Sequence, residues 1–286
     1  MSNNLKTVGL LALMTTLVFW LGYYFGGEGG LWIGVILAFG LNFVAYFFSD
    51  KLALAASRAQ PATEAELPEV YSIVRNLTSA AGLPMPRLFV INSPQPNAFA
   101  TGRNPSHAAV AVTTGILELM NRDELEGVLA HELSHVQNRD ILISSVAAML
   151  AAALSIFARM AIFMGGGRDR NNPLAGIAAL LSIILAPIAA MIIRMAISRS
   201  REFQADRSGA EITGQPLKLA SALAKLEAGT SRVAMNVNPA VSQLFIADPL
   251  HALKGRRGGG LMSIFATHPP VPERIARLQA MAGGRF

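Results

Sequence analysis

Residues 128–136 read VLAHELSHV and lie in a segment with the features of an α-helix. Asn121 is a candidate N-cap with Glu124 three residues later, so the spacing predicts a helix from this cap to about Asn138. Apolar residues recur along it at i+3 and i+4 spacing: Leu125, Leu129, Leu133 and Val136. The stretch therefore predicts a helix with one face in the core of a folded domain.

The same helix carries an H-E-x-x-H pattern. His131 and His135 are one turn apart and rotated by only about 40°, so both imidazoles can reach one metal ion. The chain has no Cys, and any metal must therefore be held by His and carboxylate groups, a donor set that suits zinc. Glu132 lies between the two histidines, where it can accept a proton from a water activated by zinc without being a ligand. The alternative is two surface histidines on a solvated helix face.

A catalytic zinc site also needs a third protein ligand and an open position for water. Glu202 and Asp206 are four residues apart and share one helix face, so Glu202 can ligate while Asp206 accepts a hydrogen bond from a ligand histidine. A solvated face that pairs with Arg199 or Arg207 is the alternative for these carboxylates. The other candidate ligands are the remaining histidines: His107, His251 and His268.

The composition indicates a membrane protein. The chain is 52% hydrophobic and only 15% charged, with a mean hydropathy of +0.42, which excludes disorder and disfavours an ordinary soluble domain. Four uncharged runs are about long enough to cross a bilayer, namely 7–27, 29–49, 141–158 and 171–193. We therefore expect four transmembrane helices arranged as two hairpins. A signal peptide for the first run, and a pair of buried soluble helices for the last two, are the alternatives.

Basic residues in the flanks predict the orientation. Eight of them lie on the side of the N-terminus and two, Arg168 and Arg170, on the other side. The eight are Lys6, Lys51, Arg58, Arg139, Arg194, Arg199, Arg201 and Arg207. By the positive-inside rule, both termini and the HExxH helix are cytoplasmic. The net charge of +6 then needs no nucleic-acid partner, and no nucleic-acid-binding motif accompanies it.

The polar segments predict one domain split by the second hairpin. Residues 62–81 have the periodicity of an amphipathic helix, and Arg87–Ile91 and Ala108–Thr113 are short β-rich runs that favour a small, partly antiparallel sheet. Because a hairpin separates them, the HExxH helix and the Glu202 helix emerge on the same side of the membrane. The expected segments are an N-terminal transmembrane hairpin (5–49), the first part of the domain (50–140), the second hairpin (141–193) and the second part of the domain (194–286).

Three motifs resemble, in their order along the chain, those of the HtpX-type membrane zinc metalloproteases and, more distantly, the eukaryotic CAAX-prenyl endoprotease. They are His131-Glu132-Leu133-Ser134-His135, Arg201-Glu202-Phe203-Gln204-Ala205-Asp206, and Thr267-His268-Pro269-Pro270 with Glu273-Arg274-Ile275. The resemblance implies a cytoplasmic gluzincin-like α+β zinc metallopeptidase domain with one zinc ion on His131, His135 and Glu202. It also implies proteolytic quality control of unfolded or membrane proteins at the bacterial inner membrane.

The remaining candidates concern the substrate. His268 or Arg274 could donate to the oxyanion, with a His-Pro turn and a surface ion pair as the alternatives. Asn97 could lie in an edge strand that pairs with an extended substrate, or it could be a turn residue. Residues 230–260 show no recognisable pattern and could cover the site. A non-catalytic scaffold with a structural zinc site, or a transporter, is the competing functional class, although the apolar runs hold almost no ionisable residue besides Arg159.

Overall fold

The structure is a computed structural model that describes residues 3–151, 199–235, 237, 241–250, 252 and 269–284. Helix α1 (Asn3–Phe47) is interrupted at Gly27, where φ is 55° and ψ is −141°. The elements that follow α1 are, in chain order, α2 (Ser49–Ala56), β1 (Gln60–Pro61), α3 (Pro68–Ala81), β2 (Arg87–Ile91), β3 (Ala98–Gly102), β4 (Ala108–Thr113), α4 (Thr114–Leu119), α5 (Arg122–Gln137), α6 (Ile141–Ala151), α7 (Arg199–Thr213), α8 (Pro216–Arg232) and α9 (Val271–Ala282).

The break at Gly27 turns α1 into a hairpin of two apolar helices. Both arms, Leu5–Tyr24 and Gly27–Phe47, are long and apolar enough to cross a membrane. Asn42 Nδ2 donates a hydrogen bond to Thr15 Oγ1 of the other arm at 2.7 Å. Near the turn the arms approach so closely that a Cβ on Gly22 would collide with the carbonyl oxygen of Gly30. The two N-terminal apolar helices predicted from the sequence are confirmed.

The second predicted hairpin is described only at its start. Helix α6 begins at Ile141, as predicted, and most of its side chains are buried within the protein. The rest of the third apolar run and the whole of the fourth, residues 171–193, lie outside the described residues.

The sheet is small and mixed, with the strand order β1-β2-β4-β3. β2 is parallel to β4, whereas β1 and β3 pair antiparallel to their neighbours. The predicted strands and their partly antiparallel arrangement are therefore confirmed. β3 occupies an edge of this sheet, which agrees with the edge strand expected next to Asn97.

Helix α3 begins later than the predicted residue 62. Thr63 and Glu66 form a turn in which the Glu66 carboxylate accepts hydrogen bonds from the Thr63 amide and hydroxyl, both at 2.7 Å. Pro68 then occupies the first helical position, where its missing N–H costs nothing. The apolar periodicity continued through the turn and so extended the predicted helix by about two turns.

Helix α5 forms the centre of the domain. The predicted capping box is present, because the Asn121 side chain accepts from the Glu124 amide while the Glu124 carboxylate accepts from the Asn121 amide. Its predicted core face is buried, with no more than 2% of any of the four side chains exposed: Leu125, Leu129, Leu133 and Val136. The face packs with α3, α8 and strands β2–β4 in one hydrophobic core.

Helix α7 packs directly on the backbone of α5 at Gly209. A Cβ at this position would lie 2.9 Å from the amide nitrogen of His131 and 3.1 Å from the carbonyl carbon of Ala130. Backbone atoms cannot move aside as a flexible side chain can. Only glycine therefore allows the two helices to approach this closely.

We expect Gly209→Ala to lower the melting temperature of the purified protein, because overpacking at a rigid contact costs about 1–3 kcal/mol. Gly40→Ala is the matched control, since it is also a helical glycine but its Cβ would meet nothing within 4 Å. Both substitutions raise helix propensity by about 1 kcal/mol. A Gly209→Ala protein at least as stable as the Gly40→Ala protein would contradict the close packing.

Candidate metal centre

Helices α5 and α7 bring together three side chains that can bind one metal ion. The His131 Nε2 atom lies 3.9 Å from Glu202 Oε2, and the His135 Nε2 atom lies 3.6 Å from Glu202 Oε1. All three ligand atoms lie within 4.8 Å of one another. Within the described part of the chain, this is the one such group of metal-binding side chains. The predicted trio therefore meets in space, and Glu202 is buried rather than on a solvated helix face.

A carboxylate orients each histidine from behind. His131 Nδ1 donates to Asp206 Oδ1 at 2.9 Å, and His135 Nδ1 lies 3.1 Å from Asp140 Oδ2. These contacts direct both Nε2 atoms towards Glu202. The His131 Nε2 atom is buried and has no hydrogen-bond partner among the described residues. The lone pair of this buried nitrogen is therefore free to bind a metal ion. Two imidazole nitrogens and a carboxylate oxygen are ligands that zinc commonly takes in proteins.

Arg274 of α9 is tied to this group rather than exposed to a substrate. Its side chain is fully buried and donates to both carboxylate oxygens of Asp206, from Nε at 2.8 Å and from Nη2 at 2.7 Å. Its Nη1 atom also lies 3.4 Å from the carbonyl oxygen of Ile246. The alternative of a surface ion pair is therefore wrong. The bonds to Asp206 favour a supporting role for Arg274 over the oxyanion contact, which stays a prediction. Arg274 acts through Asp206 on His131.

The buried ion pair determines which groups are charged. Burial alone would raise the pKa of Asp206, but the charge and hydrogen bonds of Arg274, together with His131, lower it to about 2. Asp206 is therefore ionised at neutral pH. Burial lowers the pKa of His131 to about 4 against the opposing effect of Asp206, so this imidazole is neutral, as a metal ligand must be.

His135 differs from His131 in its charge. Burial lowers the pKa of His135, but the hydrogen bond with Asp140 and the charges of Glu202 and Glu132 outweigh it and raise the pKa to about 9. Without a metal, the proton on His135 balances these carboxylates. A divalent cation bound in the same place would displace that proton, since a ligand imidazole must be neutral.

Glu132 borders the ligand group and is held by the sheet. Its Oε2 atom accepts a hydrogen bond from the amide of Ala100 on β3 at 2.7 Å. Burial raises the pKa of Glu132 to about 8, with a smaller contribution from Glu202, against the lowering effects of His135, Ala100 and Arg274. Without a metal ion this carboxyl group is therefore largely protonated at pH 7, and a cation bound next to it would favour the carboxylate form, which can accept a proton.

A cavity of about 30 Å³ lies against these groups, enough for about two water molecules. The ligand trio and Glu132 line this cavity, as do Gln243, Leu244 and Ile246 of the segment that follows α8. The site is therefore a small cavity with polar side chains in its wall, between α5, α7 and the segment that follows α8.

The other predicted site residues have different positions. Asn97 is fully buried, and its side chain both donates to the Ala247 carbonyl at 2.8 Å and accepts from the Ala247 amide at 3.2 Å. It therefore fixes a neighbouring loop and does not face a substrate. His107 is exposed and pairs with Asn104, away from the metal group. His251 and His268 lie outside the described residues.

Two residues of the site were missed from the sequence. Asp140 directly precedes α6 and contacts His135 Nδ1. Its position five residues after His135 was the sequence signal that could have indicated this contact. Gln243 belongs to residues 230–260, where no pattern was recognisable.

An HExxH helix beside a mixed sheet, with a third ligand from a later helix, defines the class of metallopeptidases. The sequence model of "Peptidase family M48" matches residues 64–282. A "Protease HtpX homolog" of Ralstonia nicotianae is 50% identical over 285 residues, which cover 99% of this chain and 98% of the relative. The homolog of Burkholderia multivorans is 51% identical over 294 residues, with full coverage of both chains. The chain belongs to peptidase family M48 and is a membrane metalloprotease, which confirms the resemblance seen in its motifs.

A solved structure has the same fold. The crystal structure of S. mikatae Ste24p superposes with a TM-score of 0.51 at 19% identity, covering 96% of this chain. The present chain spans 64% of the length of that protein. The likeness shows a mostly helical fold with a small sheet.

We expect Asp206→Asn and Asp140→Asn each to weaken zinc binding by about 10- to 100-fold, because each removes the carboxylate that orients a ligand histidine. Zinc affinity would be measured by competition with a fluorescent chelator. The matched control is Asp123→Asn, whose carboxylate also belongs to α5 but pairs with Lys218 at the surface. Zinc affinities equal to that of this control would contradict the orienting role.

Proposed function

We propose that the protein is a zinc endopeptidase that hydrolyses peptide bonds of misfolded or damaged membrane proteins at the cytoplasmic face of a bacterial inner membrane. The observation that carries this proposal is the convergence of His131, His135 and Glu202, with ligand atoms within 4.8 Å of one another, beside Glu132. Three protein ligands next to a cavity favour a catalytic site over a closed structural one, in which a fourth protein ligand would fill that space.

His131, His135 and Glu202 would hold one zinc ion per chain. When bound, zinc supplies a Lewis acid that polarises the scissile carbonyl and lowers the pKa of a water molecule. The chain's contribution is the neutral His131 and the two carboxylates, Asp206 and Asp140, that fix the imidazole orientations.

Glu132 would act as the general base and then as the general acid. Its carboxylate takes a proton from the attacking water and delivers this proton to the nitrogen of the leaving amine. The Ala100 amide holds one carboxylate oxygen, so the group keeps its position at the cavity while it is charged or neutral.

The membrane topology is part of the proposal. The eight basic residues in the flanks, against two on the other side, favour cytoplasmic termini and a cytoplasmic active site. Helices α5 and α7 pack side by side, which supports a hairpin between them because both helices must then lie on the same side of the membrane. Helix α6 begins only six residues after His135, which would place the site close to the bilayer surface.

The substrate class follows from this location. A hydrolytic site close to the bilayer would have access to damaged membrane proteins and to unfolded chains near the membrane. The relatives at about 50% identity carry the name "Protease HtpX homolog", which agrees with a role in protein quality control.

We expect Glu132→Gln to lower the rate of peptide cleavage by at least about 100-fold while zinc stays bound, because the base is lost and the ligands remain. Cleavage of an unfolded protein by zinc-loaded enzyme in detergent would be measured alongside zinc content. The control is Glu126→Gln on the same helix, which should cleave as wild type does. Glu202→Gln should instead lower the zinc content.

A Glu132→Gln protein that cleaves at the wild-type rate would contradict the mechanism. Unchanged zinc content in Glu202→Gln would move the third ligand elsewhere.

The absence of native Cys allows a direct test of topology, because each introduced Cys is then the sole thiol of the chain. We expect Glu28→Cys and Asp169→Cys to react with a membrane-impermeant maleimide added to intact spheroplasts. Glu126→Cys should react only after the membrane is permeabilised. Labelling of residue 126 in intact spheroplasts would contradict the cytoplasmic site, and protection of residue 169 would contradict the second hairpin.

A further inference from the structure

Gln243 is a buried amide without a partner in the cavity wall. It lies in the short 3-10 turn Ser242–Leu244, and only 6% of the residue is exposed. Neither its Oε1 nor its Nε2 atom has a hydrogen-bond partner among the described residues. The same side chain lines the cavity that contains His131, His135, Glu202 and Glu132.

A second buried glutamine nearby shows what a structural amide does in this fold. Gln95 is also buried, and its Nε2 atom donates to the carbonyl oxygens of Val233 at 2.6 Å and of Pro249 at 2.9 Å. It ties the two ends of the segment that follows α8. Gln243 makes no such bond. A buried amide without a partner lowers the stability of the fold, so a native protein that keeps one calls for an explanation such as a ligand that pairs with it.

Among the described residues, three main-chain and side-chain groups in or next to strand β3 are already hydrogen-bonded within the protein. The Ala100 amide donates to Glu132, and the Ala98 carbonyl accepts from the Ile246 amide at 2.9 Å. The Asn97 side chain is bonded to Ala247. Strand β3 therefore does not offer these groups to a substrate in this arrangement, whereas the Gln243 amide, which belongs to the same cavity lining as Glu132, has no partner among the described residues.

We propose that Gln243 binds the main chain of the substrate next to the scissile bond, an inference that rests on the proposed peptidase function. A carboxamide has one acceptor and one double donor, which complement the N–H and the carbonyl of a peptide group. Gln243 Nε2 donates to a substrate carbonyl oxygen, and Oε1 accepts from a substrate N–H. No substrate side chain takes part in these bonds. The contact therefore selects extended polypeptide of many sequences, as a protease for unfolded chains requires.

The first test is Gln243→Met, which keeps the approximate volume and removes both hydrogen-bonding atoms. We expect kcat/KM for a quenched-fluorescence peptide to fall by about 10- to 100-fold, the effect of one or two lost hydrogen bonds. Zinc content should be unchanged, and the melting temperature should be equal or higher because no bond of the resting protein is lost.

Gln95→Met is the matched control and should give the opposite pattern. It removes two hydrogen bonds of the folded protein, so its melting temperature should fall. If Gln243→Met lowers the melting temperature as Gln95→Met does, or leaves kcat/KM at the wild-type value, the substrate contact is overturned.

The second test uses peptides that are N-methylated at one peptide bond at a time on either side of the cleavage site. Wild type should lose activity at the position whose N–H is bound by Gln243, and Gln243→Met should lose no more at that position. If N-methylation lowers the activity of wild type and of Gln243→Met by the same factor at every position, the hydrogen bond between Gln243 and the substrate main chain is overturned. Failure of the proposed function is distinct, because wild-type protein with zinc would then cleave no peptide or Glu132→Gln would cleave as well as wild type.

Discussion

The contact between α5 and α7 is the constraint on which the site depends. The histidines lie on one of these helices and Glu202 on the other, with the whole stretch between α5 and α7 separating them in sequence. Gly209 lets α7 lie against the backbone at His131 itself, since a Cβ there would be 2.9 Å from the His131 amide nitrogen. One turn earlier, Asp206 then reaches His131 Nδ1, and a further turn earlier Glu202 reaches the Nε2 atoms. The periodicity of a single helix thus supplies a ligand and its supporting carboxylate together.

The charges of the site depend on that contact. Asp206 is buried and would be unstable as an anion without Arg274, which reaches it from α9. A buried ion pair costs desolvation of both groups and contributes little net stability, but loss of one partner would leave an uncompensated buried charge. The Arg274–Asp206 pair joins α9 to α7, and the bond between Asp206 and His131 joins α7 to α5. In this arrangement His131 is neutral. Through its Nη1 atom, Arg274 also contacts Ile246, near Gln243 in the cavity wall.

Sequence signals predicted the parts of this structure that depend on local chemistry. The α5 cap, the core face and the two strands follow from spacing within a few residues. The i+4 pairs made Glu202 one candidate for the third ligand, and the resemblance of the motifs implied the full trio. The start of α3 could not be predicted from periodicity, because a local turn and Pro68 outweigh it. The roles of Asn97 and Arg274 could not be predicted because each depends on a partner distant in sequence, Ala247 and Asp206. The same holds for Gln243, which lines the same cavity as Glu132 although the two residues are distant in sequence.

The geometry of α5 and α7 predicts that these two helices bind one metal ion jointly. The most direct measurement is a crystal structure of the zinc-loaded full chain with anomalous scattering recorded at the zinc edge. We expect one peak per chain, about 2.0–2.2 Å from His131 Nε2, His135 Nε2 and a Glu202 oxygen, with no fourth protein ligand. A peak held by His107, His251 or His268 in place of Glu202, or one closed by four protein ligands, would contradict it.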